Sequence, residues 1–270
     1  MDLPRKSLGQ HWLKDEPTLA AICRAAQLGE SDVVLEIGPG LGALTKHLVK
    51  KSRKVVAVEL DKTLADQLPK SIPSRNLEVV NGDILKFDFS KLPSRFKVVA
   101  NIPYYLTSNL LRVLSESKNP PKVIVMLVQK EVAERIAARP GKMSVLAVSV
   151  QLYYEAELGQ VVPAIFFEPP PKVDSQVIIL RRHFSPLFDN VDEKKFFRLV
   201  KAGFSSRRKM LRSSLAGGLD MSKHDIEEML MAAEVNGDLR AEALSLTQWH
   251  SIYTEYVLKK DLRSLLHLNT

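Results

Sequence analysis

The segment Val33-Val-Leu-Glu-Ile-Gly-Pro-Gly-Leu-Gly42 is the strongest indication of the fold class of this 270-residue chain. Its first five residues are apolar except for Glu36 and predict a buried strand, whereas the three glycines that follow predict a tight turn. Leu44 and Leu48 then have the spacing of a helix that packs on one side, which we expect to cover residues 43–51. A strand, a glycine-rich turn and a helix in this order form a βα unit in which a nucleoside-containing cofactor can bind.

The same alternation of strands and helices continues to about residue 140. The predicted strands cover residues 54–59, 77–80, 96–100 and 122–128, and the predicted helices cover residues 61–68, 106–115 and 131–138. Near-continuous apolar strands of this kind are typical of a parallel sheet that is covered on both faces. Residues 144–153 and 175–182 then predict two strands that are joined without a helix. We expect these two to close the sheet as an antiparallel pair.

From about Asp192 onward the pattern is helical, which predicts a second and smaller domain at the end of the chain. A chain of this length can bury a large core. The predicted fold class is therefore α/β, with a mostly parallel sheet in a main domain of residues 1–188. A small all-helical domain is expected in residues 189–270.

Composition limits the possible compartments and cofactors. Hydrophobic residues make up 45% and charged residues 26% of the chain, which is ordinary for a soluble globular protein. The single cysteine, Cys23, cannot form an internal disulfide, and we expect it to be a buried apolar residue in a protein of a reducing compartment. No apolar run is long enough for a signal peptide or a membrane span. The expected location is the cytoplasm, and the six histidines lack the spacing of a metal site.

The positive charge is concentrated in one segment. The net charge is +8, and ten basic residues against three acidic ones lie between Arg181 and Arg212. Lys194 and Lys195 are explained by a solvated helix face. The segment Ser205-Ser-Arg-Arg-Lys-Met-Leu-Arg212 follows a predicted helix end and new N-cap at Gly203-Phe-Ser-Ser206, and it is harder to explain in that way. We expect its four cations, Arg207, Arg208, Lys209 and Arg212, to contact the phosphates of a polyanionic partner.

The motif Asn101-Ile-Pro-Tyr104 follows directly after the predicted strand 96–100. A rigid turn of this kind can aim the Asn101 side-chain oxygen and the Ile102 carbonyl at the two hydrogens of an exocyclic amine. Tyr104 can stack on the ring that carries this amine. The combination suits N6 of adenine and predicts group transfer onto a base, whereas the alternative is an ordinary turn at the end of a strand.

The glycine turn alone does not identify the cofactor that it binds. Gly38-x-Gly40-x-x-Ala43 also satisfies the dinucleotide fingerprint, and Glu59 lies where an NAD-binding enzyme places its ribose-binding acid. An NAD-dependent oxidoreductase is therefore one interpretation. It would require an acid–base pair near the strand ends, and no such pair is apparent.

Three details favour S-adenosylmethionine. Glu36 precedes the first glycine and is suited to a cationic ligand, while Pro39 stiffens a turn that has no pyrophosphate to bind. Asp83, after the third strand, can accept a hydrogen bond from an adenine amino group. Asn101 follows the fourth strand, where the edge of the sheet opens toward substrate.

Over nearly its whole length the chain resembles the KsgA (RsmA) family of ribosomal RNA adenine dimethyltransferases. The motifs that carry the resemblance are Lys6-Ser-Leu-Gly-Gln-His-Trp-Leu-Lys-Asp15, Glu36-Ile-Gly-Pro-Gly-Leu-Gly42, Glu59-Leu-Asp61, Gly82-Asp83, Asn101-Ile-Pro-Tyr104, Phe167-Glu-Pro-Pro-Pro-Lys-Val-Asp-Ser175 and Gly203-Phe-Ser-Ser-Arg-Arg-Lys-Met-Leu211. Two features depart from the family pattern. Trp12 replaces a usual Phe, and the Pro140–Ser144 loop is shorter than usual, which puts any RNA contact of that loop in doubt.

The resemblance implies a Rossmann-like methyltransferase domain with an antiparallel final strand and a helical C-terminal domain. It implies an enzyme that uses S-adenosylmethionine to dimethylate N6 of two adjacent adenosines during ribosome biogenesis. We expect this enzyme to be a monomer. These adenosines lie in the 3′-terminal hairpin loop of small-subunit rRNA, so the partners would be that rRNA and pre-small-subunit particles, with no membrane. A large-subunit rRNA methylase of the erythromycin-resistance type and a non-catalytic assembly factor that binds RNA are the alternatives among relatives.

Carried over residue by residue, the resemblance also implies the roles of individual side chains. The implied cofactor contacts are His11, Leu13, Gly38, Glu59, Asp83 and Asn101. Asn101 and Tyr104 would frame the target base, and Phe167 would stack on its other face. Phe166 is an alternative to Phe167 for that stacking position, since the two are neighbours. No metal is expected.

Overall fold

A computed structural model describes residues 10–219 and 221–267, with side chains described through residue 260. Residues 6–9 of the first family motif lie outside the described residues. The chain divides into two compact units. Among the described residues, those within 1–134 and 154–183 form the first unit, and those within 135–153 and 184–270 form the second.

The first unit is built on a sheet at the centre of the α/β arrangement. Its strands are β1 (Trp12–Leu13), β2 (Val33–Ile37), β3 (Lys54–Glu59), β4 (Leu77–Asn81), β5 (Lys97–Asn101), β6 (Val123–Gln129), β7 (Tyr154–Val162), β8 (Phe167–Glu168) and β9 (Ser175–Arg182). Among the described residues, seven of these form one sheet in the order β4-β3-β2-β5-β6-β9-β7, and β1 pairs with β8 separately. The pairs from β4 to β6 are parallel, whereas β9 is antiparallel to both β6 and β7. The prediction of a mostly parallel sheet with an antiparallel closing strand is confirmed.

The helices lie where the apolar spacing predicts them in most cases. They are α1 (Glu16–Ala25), α2 (Thr45–Leu48), α3 (Lys62–Ser71), α4 (Thr107–Glu116), α5 (Lys130–Ile136), α6 (Val145–Gln151), α7 (Glu193–Gly203), α8 (Leu211–Gly218), α9 (Lys223–Ala232) and α10 (Leu246–His267). Asp61 caps α3 by accepting a hydrogen bond from the Thr63 backbone N–H at 2.9 Å, as expected of its position after β3. None of the helices in the described part of the chain is long and apolar enough to cross a bilayer.

The predicted strand at residues 144–153 is wrong, because this segment forms α6. The Ser144 side chain caps the helix by accepting a hydrogen bond from the Ala147 N–H at 3.1 Å, and Ala147 and Val148 pack into the core of the second unit. Local capping and packing here override the strand preference of a valine-rich run. The strand that pairs with β9 in place of the predicted one is β7, which was not predicted because exposed polar residues interrupt its apolar ones.

The location of α6 also changes the domain boundary. The sequence predicts that all of residues 1–188 belong to the main domain, whereas the structure assigns residues 135–153 to the second unit and begins the rest of that unit at residue 184. The shortened Pro140–Ser144 loop is tied within the second unit, since the Gly141 and Met143 N–H groups both donate to the Glu242 carbonyl, at 2.8 and 3.0 Å. The Pro140–Ser144 loop therefore belongs to the second unit.

Buried side chains on one face of the sheet hold the first unit together. Residues from α1 and α2 pack on β2, β5 and β6, and Cys23 lies among them with 1% of its surface exposed. Burial raises the pKa of the Cys23 thiol to about 11, so the thiolate is disfavoured. The prediction that Cys23 is a buried apolar residue is confirmed.

Candidate active site

A cavity of about 350 Å³ opens at the carboxyl ends of the parallel strands in the first unit. It lies where the strand order reverses, because β3 is on one side of β2 and β5 is on the other. Open α/β sheets bind their ligands at such a switch point. Eight residues singled out from the sequence line it together: His11, Leu13, Gly38, Glu59, Asp83, Asn101, Tyr104 and Phe167.

The glycine turn after β2 needs its glycines for two different reasons. Gly38, Gly40 and Gly42 all have positive φ, at 65°, 56° and 81°, a region that other residues adopt only with strain. A Cβ at Gly42 would also lie 2.5 Å from the Ile72 side chain, so this glycine allows α3 to pack closely. A Cβ at Gly40 would lie 3.4 Å from Trp12 Nε1, so Trp12 forms the wall opposite the turn.

Glu59 fastens the glycine turn to the end of β3. Its Oε2 accepts a hydrogen bond from the Gly40 N–H at 3.1 Å, and its Oε1 accepts one from the Asp61 N–H at 2.9 Å. The carboxylate is 6% exposed, and burial raises its pKa despite these two bonds. Since each oxygen can accept more than one hydrogen bond, Glu59 can still accept bonds from a ligand hydroxyl.

Asp83 lies next to Glu59 at the end of the neighbouring strand. The Gly82 N–H donates to the Glu59 carbonyl at 2.9 Å, which joins the segment after β4 to the end of β3. The Asp83 carboxylate caps a short 3-10 helix by accepting from the Leu85 N–H at 3.0 Å. This bond fixes the carboxylate at the cavity wall, where its second oxygen can accept from an amino group.

Glu36 is buried at the end of β2 with 1% of its surface exposed, and it also lines the cavity. Neither of its carboxylate oxygens has a hydrogen-bond partner among the described residues. Burial raises the pKa of Glu36 to about 8, and the charge of Glu59 adds to the shift. The Thr45 hydroxyl is close enough to oppose this shift but is not placed for a well-formed hydrogen bond. A buried carboxyl group without a partner is suited to a cationic ligand group.

Asn101 is oriented by the segment that precedes α1. Its Nδ2 donates to the His11 carbonyl at 3.4 Å, and the His11 Nδ1 lies 2.7 Å from the Pro169 carbonyl, to which it donates. With the amide nitrogen held in this way, the Asn101 Oδ1 is left as the acceptor that can face a ligand. No described residue donates to that oxygen.

Tyr104 and Phe167 provide aromatic surface beside Asn101. The Tyr104 hydroxyl is 2.7 Å from the Ser175 Oγ, and its ring is stacked near His11 with centroids 6.0 Å apart. Phe167 is placed by the β1–β8 pair, in which it faces Leu13. Phe167 lines the cavity and Phe166 does not, which favours the first of the two stacking alternatives. The ligand roles of these residues remain predictions.

Three positions of the site were not predicted from the sequence. Ser175, at the start of β9, holds the Tyr104 hydroxyl, and Trp12 faces the glycine turn. Tyr105 also lines the cavity. The signal for Ser175 and Trp12 was present, because both belong to family motifs, but nothing in their spacing assigns them a contact.

The predicted RNA-binding residues lie in the second unit: Arg207, Arg208 and Lys209 are in the connection between α7 and α8, and Arg212 is in the first turn of α8. Arg207, Arg208 and Lys209 are exposed, and no ion pair involving them is found among the described residues. Arg212 differs, because its guanidinium forms an ion pair with Asp238 at 2.8 Å. The predicted helix end is confirmed, since α7 ends at Gly203.

The predicted N-cap at Ser205-Ser206 is wrong. The next helix starts at Leu211, and its N-cap is Met210, which has no capping side chain. The cations Arg207, Arg208 and Lys209 therefore lie in the connection between two helices rather than in the first turn of one.

Comparison with known proteins places this geometry in a family. Residues 1–257 match the sequence profile described as ribosomal RNA adenine dimethylase. A protein named ribosomal RNA small subunit methyltransferase A from Dehalococcoides mccartyi (strain CBDB1) is 42% identical over 256 residues, covering 93% of this chain and 88% of the relative. A protein of the same name from Crocosphaera subtropica is 43% identical, covering 92% of this chain and 97% of the relative.

Two solved structures are similar over most of the chain. A dimethyladenosine transferase from Plasmodium falciparum has a TM-score of 0.78 at 28% identity and covers 92% of this chain and 98% of its own. The 23S rRNA methyltransferase ErmE has a TM-score of 0.75 at 30% identity, and the match covers 90% of this chain and 98% of the ErmE chain. With a family match over nearly its full length and a cavity at the switch point of its sheet, the chain belongs to the ribosomal RNA adenine dimethylase family.

Proposed function

We propose that this enzyme transfers methyl groups from S-adenosylmethionine to N6 of two adjacent adenosines in the 3′-terminal hairpin loop of small-subunit rRNA, and that it dimethylates each. The observation that carries the proposal is the orientation of Asn101, whose amide nitrogen is held by the His11 carbonyl while its oxygen is left for a ligand in the cavity. The small-subunit target is supported by the curated relatives, which carry that subunit in their names at about 42% identity.

The cavity fits S-adenosylmethionine by the chemistry of its walls. Glu59 and Asp83 each offer carboxylate lone pairs, for ribose hydroxyls and for an adenine amino group. Glu36 offers a buried carboxyl group without a partner, which suits an ammonium or sulfonium group. Gly38 exposes backbone, and Leu13 and the segment at His11 close the cavity on the other side. When it is bound, the cofactor supplies a methyl group on a positively charged sulfur.

The residues of the Asn101–Tyr104 turn act on the target amine. The N6 lone pair of adenine is delocalised into the ring, which makes the amine a poor nucleophile. Acceptors at the Asn101 Oδ1 and the Ile102 carbonyl favour a pyramidal nitrogen and disperse the charge that it gains. Alignment of well-oriented reactants can contribute up to roughly 7–11 kcal/mol, and preorganised acceptors add electrostatic stabilisation.

Tyr104 serves as a stacking surface and not as a base. Burial raises the pKa of Tyr104, so the phenol stays protonated at neutral pH while its hydroxyl is held by Ser175. Tyr104 and Phe167 replace the stacking that the adenine loses when it is extruded, at about 1–3 kcal/mol per aromatic contact. The amine needs no deprotonation before attack. N6 forms its new bond to the methyl carbon as the sulfur–carbon bond breaks, and it then loses one proton to solvent, which leaves a neutral amine with a lone pair and one N–H. A second transfer therefore follows the same chemistry.

We further propose that the enzyme is a monomer that binds small-subunit rRNA within pre-small-subunit particles. The exposure and charge of Arg207, Arg208 and Lys209 support the RNA binding, since cations of this kind bind RNA backbone. The same cations would support an assembly role in addition to catalysis.

The test is to map methyl groups after reaction with tritiated S-adenosylmethionine and unmethylated ribosomal particles. We expect label on two adjacent adenosines of the 3′-terminal hairpin of small-subunit rRNA and dimethyladenosine in the digested RNA. Label on large-subunit rRNA would instead favour the resistance-type activity. Binding without any label would favour the non-catalytic assembly factor, and a bound pyridine nucleotide detected by calorimetry would favour the oxidoreductase.

A further inference from the structure

Tyr105 is an exposed aromatic side chain at the cavity. It follows Tyr104 in the 3-10 turn Tyr104–Leu106 and lines the same cavity. The two tyrosines differ in their surroundings. Tyr104 is partly buried with its hydroxyl held by Ser175, whereas Tyr105 is 64% exposed and has no hydrogen-bond or ring partner among the described residues.

Two leucines share this location with Tyr105. Leu41 lies in the glycine turn after β2 and is 44% exposed, and Leu60 follows β3 and is 53% exposed. Both line the cavity. Three large apolar side chains from three different strand ends are therefore exposed around one opening. Exposed apolar side chains grouped at a cavity are typical of a binding surface rather than of a bare solvent face.

The occupant must be apolar on one face and must lie beside the bound target. A nucleobase meets both conditions, because every base has a π-face and stacks on aromatic side chains without regard to sequence. In the proposed function the target adenosine has a second adenosine next to it on the same strand. When one of the two is in the cavity, its neighbour is attached at the opening.

We propose that Tyr105 is a stacking platform for the base adjacent to the adenosine that is being methylated. Tyr105 is thus a positioning residue for RNA, separate from Asn101 and Tyr104, which frame the target amine. This inference rests on the proposed function, since it requires an extruded base in the cavity. It explains why a tyrosine remains exposed beside one whose hydroxyl is fixed.

The test compares wild type with Tyr105→Ala and Tyr105→Phe on unmethylated small-subunit particles, with KM and kcat measured separately. We expect Tyr105→Ala to raise KM for the particle about 5- to 150-fold, the effect of one stacked base, with kcat at saturation changed by less than about 3-fold. Tyr105→Phe should retain the wild-type KM because stacking needs the ring and not the hydroxyl. Leu158→Ala, which removes a side chain that is 41% exposed on β7 and does not line the cavity, is the matched control.

A second readout reports stacking directly. A synthetic loop hairpin carries 2-aminopurine at one of the two adjacent adenosine positions, and the fluorescence of this base is measured at saturating protein. Calorimetry of S-adenosylmethionine binding shows whether each variant has an intact cavity. We expect stacking on Tyr105 to quench the 2-aminopurine in wild type and in Tyr105→Phe, and not in Tyr105→Ala. Equal quenching or equal KM in Tyr105→Ala and wild type would overturn the inference. Absence of methyl transfer by wild type, with the quenching still dependent on Tyr105, would overturn the proposed function and leave the stacking assignment in place.

Discussion

The cavity of the first unit and the basic segment of the second unit hold their polar side chains in opposite ways. Around the cavity, Glu59, Asp83 and Asn101 each make at least one hydrogen bond to a backbone group of a strand end or turn. Between α7 and α8, Arg207 and Lys209 are exposed and are not ion-paired within the described residues. One region fixes its groups in place, and the other leaves them in solvent.

This contrast determines what each region can contribute to function. Transfer chemistry depends on groups held to within a fraction of an ångström, because acceptors must already point at the charge that develops. Attraction to phosphates acts over several ångströms and needs charge rather than fixed geometry. Substitutions in the cavity should therefore change turnover, and substitutions in the basic segment should change the salt dependence of RNA binding.

The largest effect is expected from Asn101→Ala. Removing the oriented acceptor should lower the rate of methyl transfer by about 10²- to 10³-fold or more. This is the loss seen when one preorganised polar group is removed from an active site. The free energy of unfolding should change by no more than about 1 kcal/mol, since the side chain makes a single long hydrogen bond to the His11 carbonyl. Tritiated-methyl transfer and urea unfolding measure the two quantities.

Asn119→Ala is the matched control for Asn101. The Asn119 amide donates to the Phe89 and Leu92 carbonyls, both at 2.9 Å, and does not line the cavity. It should lower stability while turnover is retained. Equal methyl-transfer rates for wild type and Asn101→Ala would show that turnover does not depend on the oriented Asn101 acceptor.

The next effect is expected when Arg207, Arg208 and Lys209 are replaced together by Ala. The slope of log affinity against log salt should become shallower by about 0.7–0.9 for each RNA phosphate that the variant no longer neutralises. Turnover at saturating RNA should be unchanged because these side chains do not line the cavity. The control is Lys194→Ala with Lys195→Ala, which removes two exposed cations from α7. An unchanged slope in the triple variant would show that the RNA phosphates bind elsewhere on the protein.

These two regions were also predictable from sequence to different degrees. The residues around the cavity follow strands whose apolar runs are clear, so the register of β2, β3 and β5 brings Glu36, Glu59 and Asn101 to one edge of the sheet. The sequence could not show that Ser175 holds Tyr104, because that contact joins residues 71 positions apart through the antiparallel strand β9. Long-range pairs of this kind depend on topology and not on local pattern.

In the second unit, local preference led to a wrong prediction. Residues 145–150 favour a strand by composition, yet Ser144 caps them as α6 and the core of the second unit buries them. The charge of Arg207 to Arg212 was evident from sequence, but the pairing of Arg212 with Asp238 was not. Charge density is visible in a sequence, whereas the neutralisation of a particular charge requires the folded chain.

A smaller effect, on stability, is expected from Glu36→Gln. The pKa of Glu36 is raised to about 8 from a usual value near 4.5, so the folded state binds a proton that the unfolded state releases between these values. Stability due to the neutral carboxyl group is complete below about pH 4.5 and is lost as pH rises toward 8. Gln mimics the neutral form at every pH, so its stability relative to wild type should increase by about 1 kcal/mol or more between pH 5 and pH 8.

Urea unfolding at the two pH values measures this difference. Glu78→Gln is the control, since Glu78 is exposed and forms an ion pair with Lys54 at 2.6 Å at the surface of β3 and β4. A stability difference between wild type and Glu36→Gln that does not change with pH would show that Glu36 is ionised in the folded protein. Glu36 would then be charged like the cations of the basic segment, and the contrast between the cavity and that segment would not hold for this residue.

The smallest effect is expected from Arg212, which belongs to the basic segment but is held by a partner, as the polar side chains of the cavity are. Because its guanidinium is paired with Asp238 at 2.8 Å, part of its charge is already neutralised, and we expect Arg212→Gln to change RNA affinity less than Arg208→Gln does. Exposed ion pairs are worth about 0–1 kcal/mol, so breaking this pair costs little stability. Asp238→Asn should do the reverse, because it frees Arg212 for phosphate and steepens the salt slope slightly. Filter binding over a range of salt concentrations separates the three variants. If Arg212→Gln weakened binding as much as Arg208→Gln, exposure and not pairing would decide which cations of this segment bind RNA.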